Sequence, residues 1–134
     1  MASVDAFMGA LFLIACLALF LFMPADAEAK HLHSERYYQE LWCDAMDGEA
    51  EVVNSDRTRT DCITKELACE LDFARKWYEA IGQAMHYARL HHKTPCIVLI
   101  VEKESDEKYW DRMNATIEYY EELYELRIET YKIQ

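Results

Sequence analysis

Six consecutive apolar residues, Cys96-Ile97-Val98-Leu99-Ile100-Val101, follow Pro95. So short a run, rich in β-branched side chains, reads as a strand, and with no polar side to show to water it must be covered on both faces. That predicts a sheet with helices on both sides. Arg75 to His92 has the period of a helix: Trp77, Ile81, Ala84 and Ala88 form an apolar stripe, widened by Tyr78 and Met85, and its small residues allow close packing on a sheet. Ala68 to Phe73 alternates, with Cys69, Leu71 and Phe73 on one face and Glu70 and Asp72 on the other. Upstream, Arg57 to Cys62 and Glu49 to Asn54 read as strands, and Ser34 to Trp42 as a helix with Ser34 as its N-cap. Downstream, Asp106 to about Tyr120 reads as a helix with Tyr109, Trp110, Met113 and Ile117 on one side, and Glu125 to Ile133 as a late edge strand. The order α-β-β-β-α-β-α-β predicts an α/β domain with a mixed sheet.

The amino-terminal segment is set apart. Ala6 to Met23 is apolar with Gly9 the one break, and Ala25-x-Ala27 after it has the small-residue pattern of a signal-peptidase site. Residues 1–27 read as a signal peptide cleaved after Ala27, leaving residues 28–134 periplasmic or secreted. The alternative is an anchor in the inner membrane: the 18-residue run reaches the lower limit for a span, and the residues before it include Asp5 but no Lys or Arg. Membrane contact is expected only through residues 6–23, if uncleaved. Four cysteines then remain, Cys43, Cys62, Cys69 and Cys96, and in an oxidising compartment they predict two disulfides. The absence of any C-x-x-C pair weakens a zinc reading.

Charge bears on partners. With 14 Lys+Arg against 25 Asp+Glu, the net charge is -11, or -9 for the 107 residues after Ala27, which argues against a generic nucleic-acid binder. The acid is unevenly spread: residues 57–93 carry +2 and residues 102–129 carry -6. A nucleic-acid ligand would therefore be confined to one face.

With Lys65-Glu66 as a two-residue turn, Asp61 lies opposite Glu70, and parity puts Asp61, Glu70 and Asp72 on one sheet face. Three carboxylates together call for solvent, bases or a divalent cation, and oxygen ligands suit Mg²⁺, Mn²⁺ or Ca²⁺. Lys76, Gln83 and Tyr87 follow at i, i+7, i+11, a polar line at the edge of the sheet-packed helix face.

Asp61, Glu70-Leu71-Asp72 and the helix with Gln83-Ala84-Met85-His86-Tyr87 resemble the PD-(D/E)xK nuclease superfamily, in particular its RecB-like and Holliday-junction-resolvase-like branches with their Q-x-x-x-Y helix. The string from Thr58 through Gln83 also looks like small exported bacterial proteins of unassigned function with that core, and the match covers roughly residues 34–103. The resemblance implies a restriction-endonuclease-like αβββαβ core, here with a carboxy-terminal helix and edge strand. It also implies a metal-dependent phosphodiesterase acting on DNA or RNA. Asp61 and Glu70 would hold Mg²⁺ or Mn²⁺. Glu40 on the first helix would be the accessory acid, with Glu35 an equal rival. Gln83, Tyr87 and Arg59 would contact nucleic acid or orient the site, and no small-molecule cofactor is implied. The chain departs from the family at Asp72, which stands where the family has its catalytic Lys. Three readings follow: Lys76 replaces that lysine from the next helix, Asp72 is an extra metal ligand, or the fold is inactive and serves as an envelope binding or assembly module.

For the cysteines we expect Cys43–Cys62 and Cys69–Cys96, because Cys69 and Cys96 would start strands that a right-handed crossover makes parallel. Tyr119, Tyr120, Tyr124 and Tyr131 form a candidate stacking platform for bases, weighed against ordinary boundary packing.

Overall fold

The computed structural model describes residues 30–134. The signal-peptide or anchor reading of residues 1–27 lies outside them. Among the described residues no helix is long and apolar enough to cross a membrane.

Residues His31–Gln134 form one unit. Its elements are α1 (Glu35–Ala45), β1 (Glu49–Val53), β2 (Arg59–Ile63), β3 (Leu67–Phe73), α2 (Trp77–His91), β4 (Thr94–Ile100), α3 (Glu107–Tyr124) and β5 (Glu129–Ile133). This is the α/β order read from the sequence. The five strands lie in chain order across one mixed sheet, with β1, β2 and β3 antiparallel and β3, β4 and β5 parallel.

The apolar run occupies β4, and its alternate residues enter two cores. Ile97 and Leu99 pack with Ala80 and Ala84 of α2 and with Met113 and Ile117 of α3. Cys96 and Val98 pack on the other face with Leu71 of β3 and Cys43 of α1. Covering both faces is what a strand without a polar side requires. Both disulfides lie in this second core: Cys43–Cys62 ties α1 to β2, and Cys69–Cys96 joins directly opposed residues of β3 and β4. Two disulfides point to an oxidising compartment.

The termini of elements differ from the sequence reading where local chemistry intervenes. Ser34 caps α1, its hydroxyl accepting from the Tyr37 amide. A 3-10 turn, Ala74–Lys76, precedes α2. In α2 the buried line is Ala80, Ala84, Tyr87 and Ala88, while Tyr78 and Met85, read as widening the stripe, are exposed. Helix α3 runs on to Tyr124, past Tyr120, and stops where Glu125 takes a left-handed φ of 53°. Glu121 reaches past that stop to accept the Ile128 amide, so the strand expected from Glu125 begins only at Glu129.

One carboxylate organises the approach to α1. Glu102, just past β4, has its side chain 2% exposed. It accepts from the Leu32 amide at 2.8 Å, the His33 amide at 3.3 Å and the Tyr38 hydroxyl at 2.9 Å, and lies 2.9 Å from His31 Nδ1. Burial alone would raise its pKa, but these hydrogen bonds favour the charged form and hold it below the usual value. The His31 ring stacks on Phe73, with centroids 3.5 Å apart.

Candidate functional site

The β2–β3 hairpin sets the register of the acids. Thr64 N–H donates to Leu67 O at 3.0 Å around the Lys65-Glu66 turn, and Cys62↔Cys69 and Ile63↔Ala68 are opposed, which puts Asp61 across from Glu70. Beyond Cys62 a side chain replaces the ladder: the Leu71 amide donates to Asp61 Oδ2 at 2.7 Å. On the other side of β3, Glu70 is opposed to Ile97 and Asp72 to Leu99. Opposed residues share a face, so Glu70 and Asp72 lie on the face covered by α2 and α3.

Around this pair the structure gathers four carboxylates. Glu70 and Asp72 are 7% and 4% exposed. Glu35, at the start of α1, stands within hydrogen-bond reach of Asp72 and feels Asp61. Burial, then the charges of Asp61, Asp72 and Glu35, push the Glu70 carboxyl up to about 10, so it keeps its proton at neutral pH and shares it with Asp61. Burial raises Asp61 to about 6, against the pull of the Leu71 amide. Burial and the neighbouring acids raise Glu35 to about 7. Glu70 Oε2 is buried with no hydrogen-bond partner. An orphaned carboxylate oxygen in so acidic a setting needs a proton or a cation.

Lys76 is the nearby base. Its Nζ lies 3.4 Å from Asp72 Oδ1, and that acid raises the lysine's pKa. Tyr87 is buried against Ala68, and its phenol is held up at about 12 by burial and by Glu70 and Asp61. Gln83 is exposed on the next turn of α2. Of the two first-helix acids, Glu35 joins the group, while Glu40 does not: it sits on the outer face of α1 in an exposed pair with Arg36 at 2.8 Å. Arg59 is paired with Glu51 at the rim. The four tyrosines make no single platform, because Tyr119, Tyr120 and Tyr124 are exposed on α3 while Tyr131 packs against Trp42 in the opposite core.

Two features escaped the sequence reading. Glu51 stands across from Asp61, between the opposed pairs Ala50↔Cys62 and Val52↔Thr60, with a left-handed φ of 58°. It extends the acid row over three strands, Glu51, Asp61 and Glu70, and counting parity through β1 as well would have found it. The tip of the β1–β2 hairpin is also pinned to α2: His86 Nε2 lies 2.7 Å from Asp56 Oδ2, and His91 Nε2 lies 2.6 Å from Asn54 Oδ1. No periodicity signals a contact made by a turn that folds over a helix.

Among the described residues, no group of three or more His, Cys, Asp or Glu side chains is spaced to hold a metal ion as it stands. The donor set of Asp61 and Glu70 still suits a hard cation of the Mg²⁺ type, which takes one or two carboxylates and fills its remaining positions with water or phosphate oxygens. Comparison with family models, with curated proteins and with solved structures finds no match to this chain.

Proposed function

We propose that the protein is an exported, divalent-cation-dependent phosphodiesterase of the PD-(D/E)xK type, acting on DNA or RNA in the periplasm or outside the cell. The observation that carries this reading is the pair of half-buried Asp61 and buried Glu70, which face each other one position beyond the β2–β3 ladder, with Glu70 Oε2 lacking any partner. These two residues would hold Mg²⁺ or Mn²⁺. When bound, such an ion supplies Lewis-acid charge to a phosphoryl oxygen and lowers the pKa of water. With the ion held there, Glu70 would stand ionised, its proton released to solvent. Glu35, poised near neutrality, is placed to take or return a proton at its carboxylate oxygens. Lys76, in the 3-10 turn that leads into α2, offers positive charge toward the phosphate, and Tyr87 and Gln83 line the adjoining helix face. The uneven charge, +2 over residues 57–93 against -6 over residues 102–129, keeps a polyanion on the β2–β3–α2 side.

A second reading has its own observation. Asp72 occupies the position of the family lysine and already neutralises Lys76 at 3.4 Å. A site so balanced favours an inactive fold that serves as an envelope binding or assembly module. One experiment separates the two. The oxidised protein is titrated calorimetrically with Mn²⁺ and incubated with plasmid, single-stranded DNA and RNA, alongside Asp61→Asn and Glu70→Gln. The nuclease reading expects cation binding and cleavage, both lost in the two variants. Cation binding without cleavage supports the module, and no binding at all by the wild type sinks the metal site.

A further inference from the structure

We infer that the Cys43–Cys62 disulfide is the positioning element that holds Asp61 against Glu70, so that its opening by a dithiol weakens the grip of these two carboxylates on a divalent cation. The inference rests on the cation-binding reading above and adds its regulation.

The two disulfides brace unequal joints. Cys69–Cys96 spans β3 and β4, which are opposed at seven positions and stay aligned without it. Cys62 sits where β2 leaves β3: the opposed pairs are only Cys62↔Cys69 and Ile63↔Ala68, and the next residue is Asp61. Past that point one hydrogen bond, Leu71 N–H to Asp61 Oδ2, holds the strand to β3. Helix α1, which carries Glu35, is itself lightly seated, burying Tyr38, Gln39 and Cys43 while Tyr37 and Leu41 are exposed. The disulfide thus joins the two elements that bring Glu35 and Asp61 to β3.

Access to this bond is controlled by the backbone. Both sulfurs are buried, and Gly48 lies over them: a Cβ there would stand 2.6 Å from Cys62 Sγ and 2.9 Å from Cys43 Sγ. Exchange therefore follows local opening of the α1–β1 turn. A thiolate of the dithiol attacks one sulfur, giving a mixed disulfide and one free cysteine thiolate. The second thiolate of the reductant then displaces the other cysteine. Two electrons and two protons pass to the chain, leaving two thiols and an oxidised, cyclised reductant.

The test compares Mn²⁺ affinity in the oxidised protein, Cys43→Ser/Cys62→Ser and Cys69→Ser/Cys96→Ser, with folding checked by circular dichroism. We expect the first double variant to bind about tenfold more weakly and the second to stay within about threefold of the wild type. Should the first fail to fold, Gly48→Ala carries the test with all cysteines intact, because its methyl displaces the sulfur pair, and a loss of about threefold is expected. Equal losses in both double variants reduce the staple to general stability and overturn the inference, as does unchanged affinity in the first or in Gly48→Ala. If the oxidised wild type binds no Mn²⁺, the functional proposal falls and this inference with it. If it binds and the variants match it, this inference alone falls.

Discussion

The two halves of the sheet are built on different principles. From β3 through β5 the strands are parallel, opposed over five to seven residues, and filled on both sides with Ile97, Val98, Leu99 and their partners. From β3 back to β1 the strands form antiparallel hairpins, the β2–β3 ladder is short, and the row Glu70, Asp61, Glu51 is acidic. β3 belongs to both: Glu70 has Ile97 on one side and Asp61 on the other. One half supplies the stability of the fold, and the other stands on it while carrying charges that oppose it.

The sharpest check on that division is a cavity in the parallel half. Leu99 is fully buried, so Leu99→Ala should lower unfolding free energy by about 3–4 kcal/mol in urea titration. A loss below 1 kcal/mol would mean that stability is not concentrated there.

The acidic half should answer to pH. Glu35, Asp61 and Glu70 have their pKa values raised to about 7, 6 and 10 from 4.5, 3.8 and 4.5, so the folded chain binds more protons than the unfolded one. Their stabilising contribution is complete below the ordinary carboxylate values and is lost as pH rises through the raised ones. In chelator, Tm should therefore fall from about pH 5 to about pH 8, with each such group contributing at most about 1.4 kcal/mol per pH unit. Glu70→Gln should flatten the slope, and saturating Mn²⁺ should flatten it in the wild type. A Tm that rises over this interval would remove the buried-acid account.

The smallest effect probes the joint between the halves and α1. Ser34→Ala removes the cap beside Glu35 and should cost about 1 kcal/mol by thermal unfolding. A much larger loss would show that α1 carries more of the fold than its three buried residues indicate.

What the sequence revealed follows the same division. Periodicity is a signal of burial, and in the parallel half burial decides everything, so β4, α2, α3 and the β3–β4 pairing through Cys69 and Cys96 were legible. The register of Asp61 and Glu70 was legible too, because a two-residue turn leaves one alignment. Choosing between Glu35 and Glu40 was beyond periodicity. Both sit on the first turns of one helix, and the difference lies in how α1 is rotated, which the Cys43 staple and Tyr38 decide. The place of Glu51 was open to the same parity count carried through β1, but its left-handed backbone and the His86–Asp56 contact were hidden, since neither follows from any repeat in the chain.

The grip of Glu102 on the residues before α1 has a practical corollary for where this domain can be cut. A fragment starting at Ser34 would lose the His31, Leu32 and His33 partners, leaving a deeply enclosed carboxylate with the Tyr38 hydroxyl alone. A fragment that keeps all of these contacts therefore begins no later than His31. A protease that clips between His31 and Ser34 would unmoor the helix that delivers Glu35 without touching the acids.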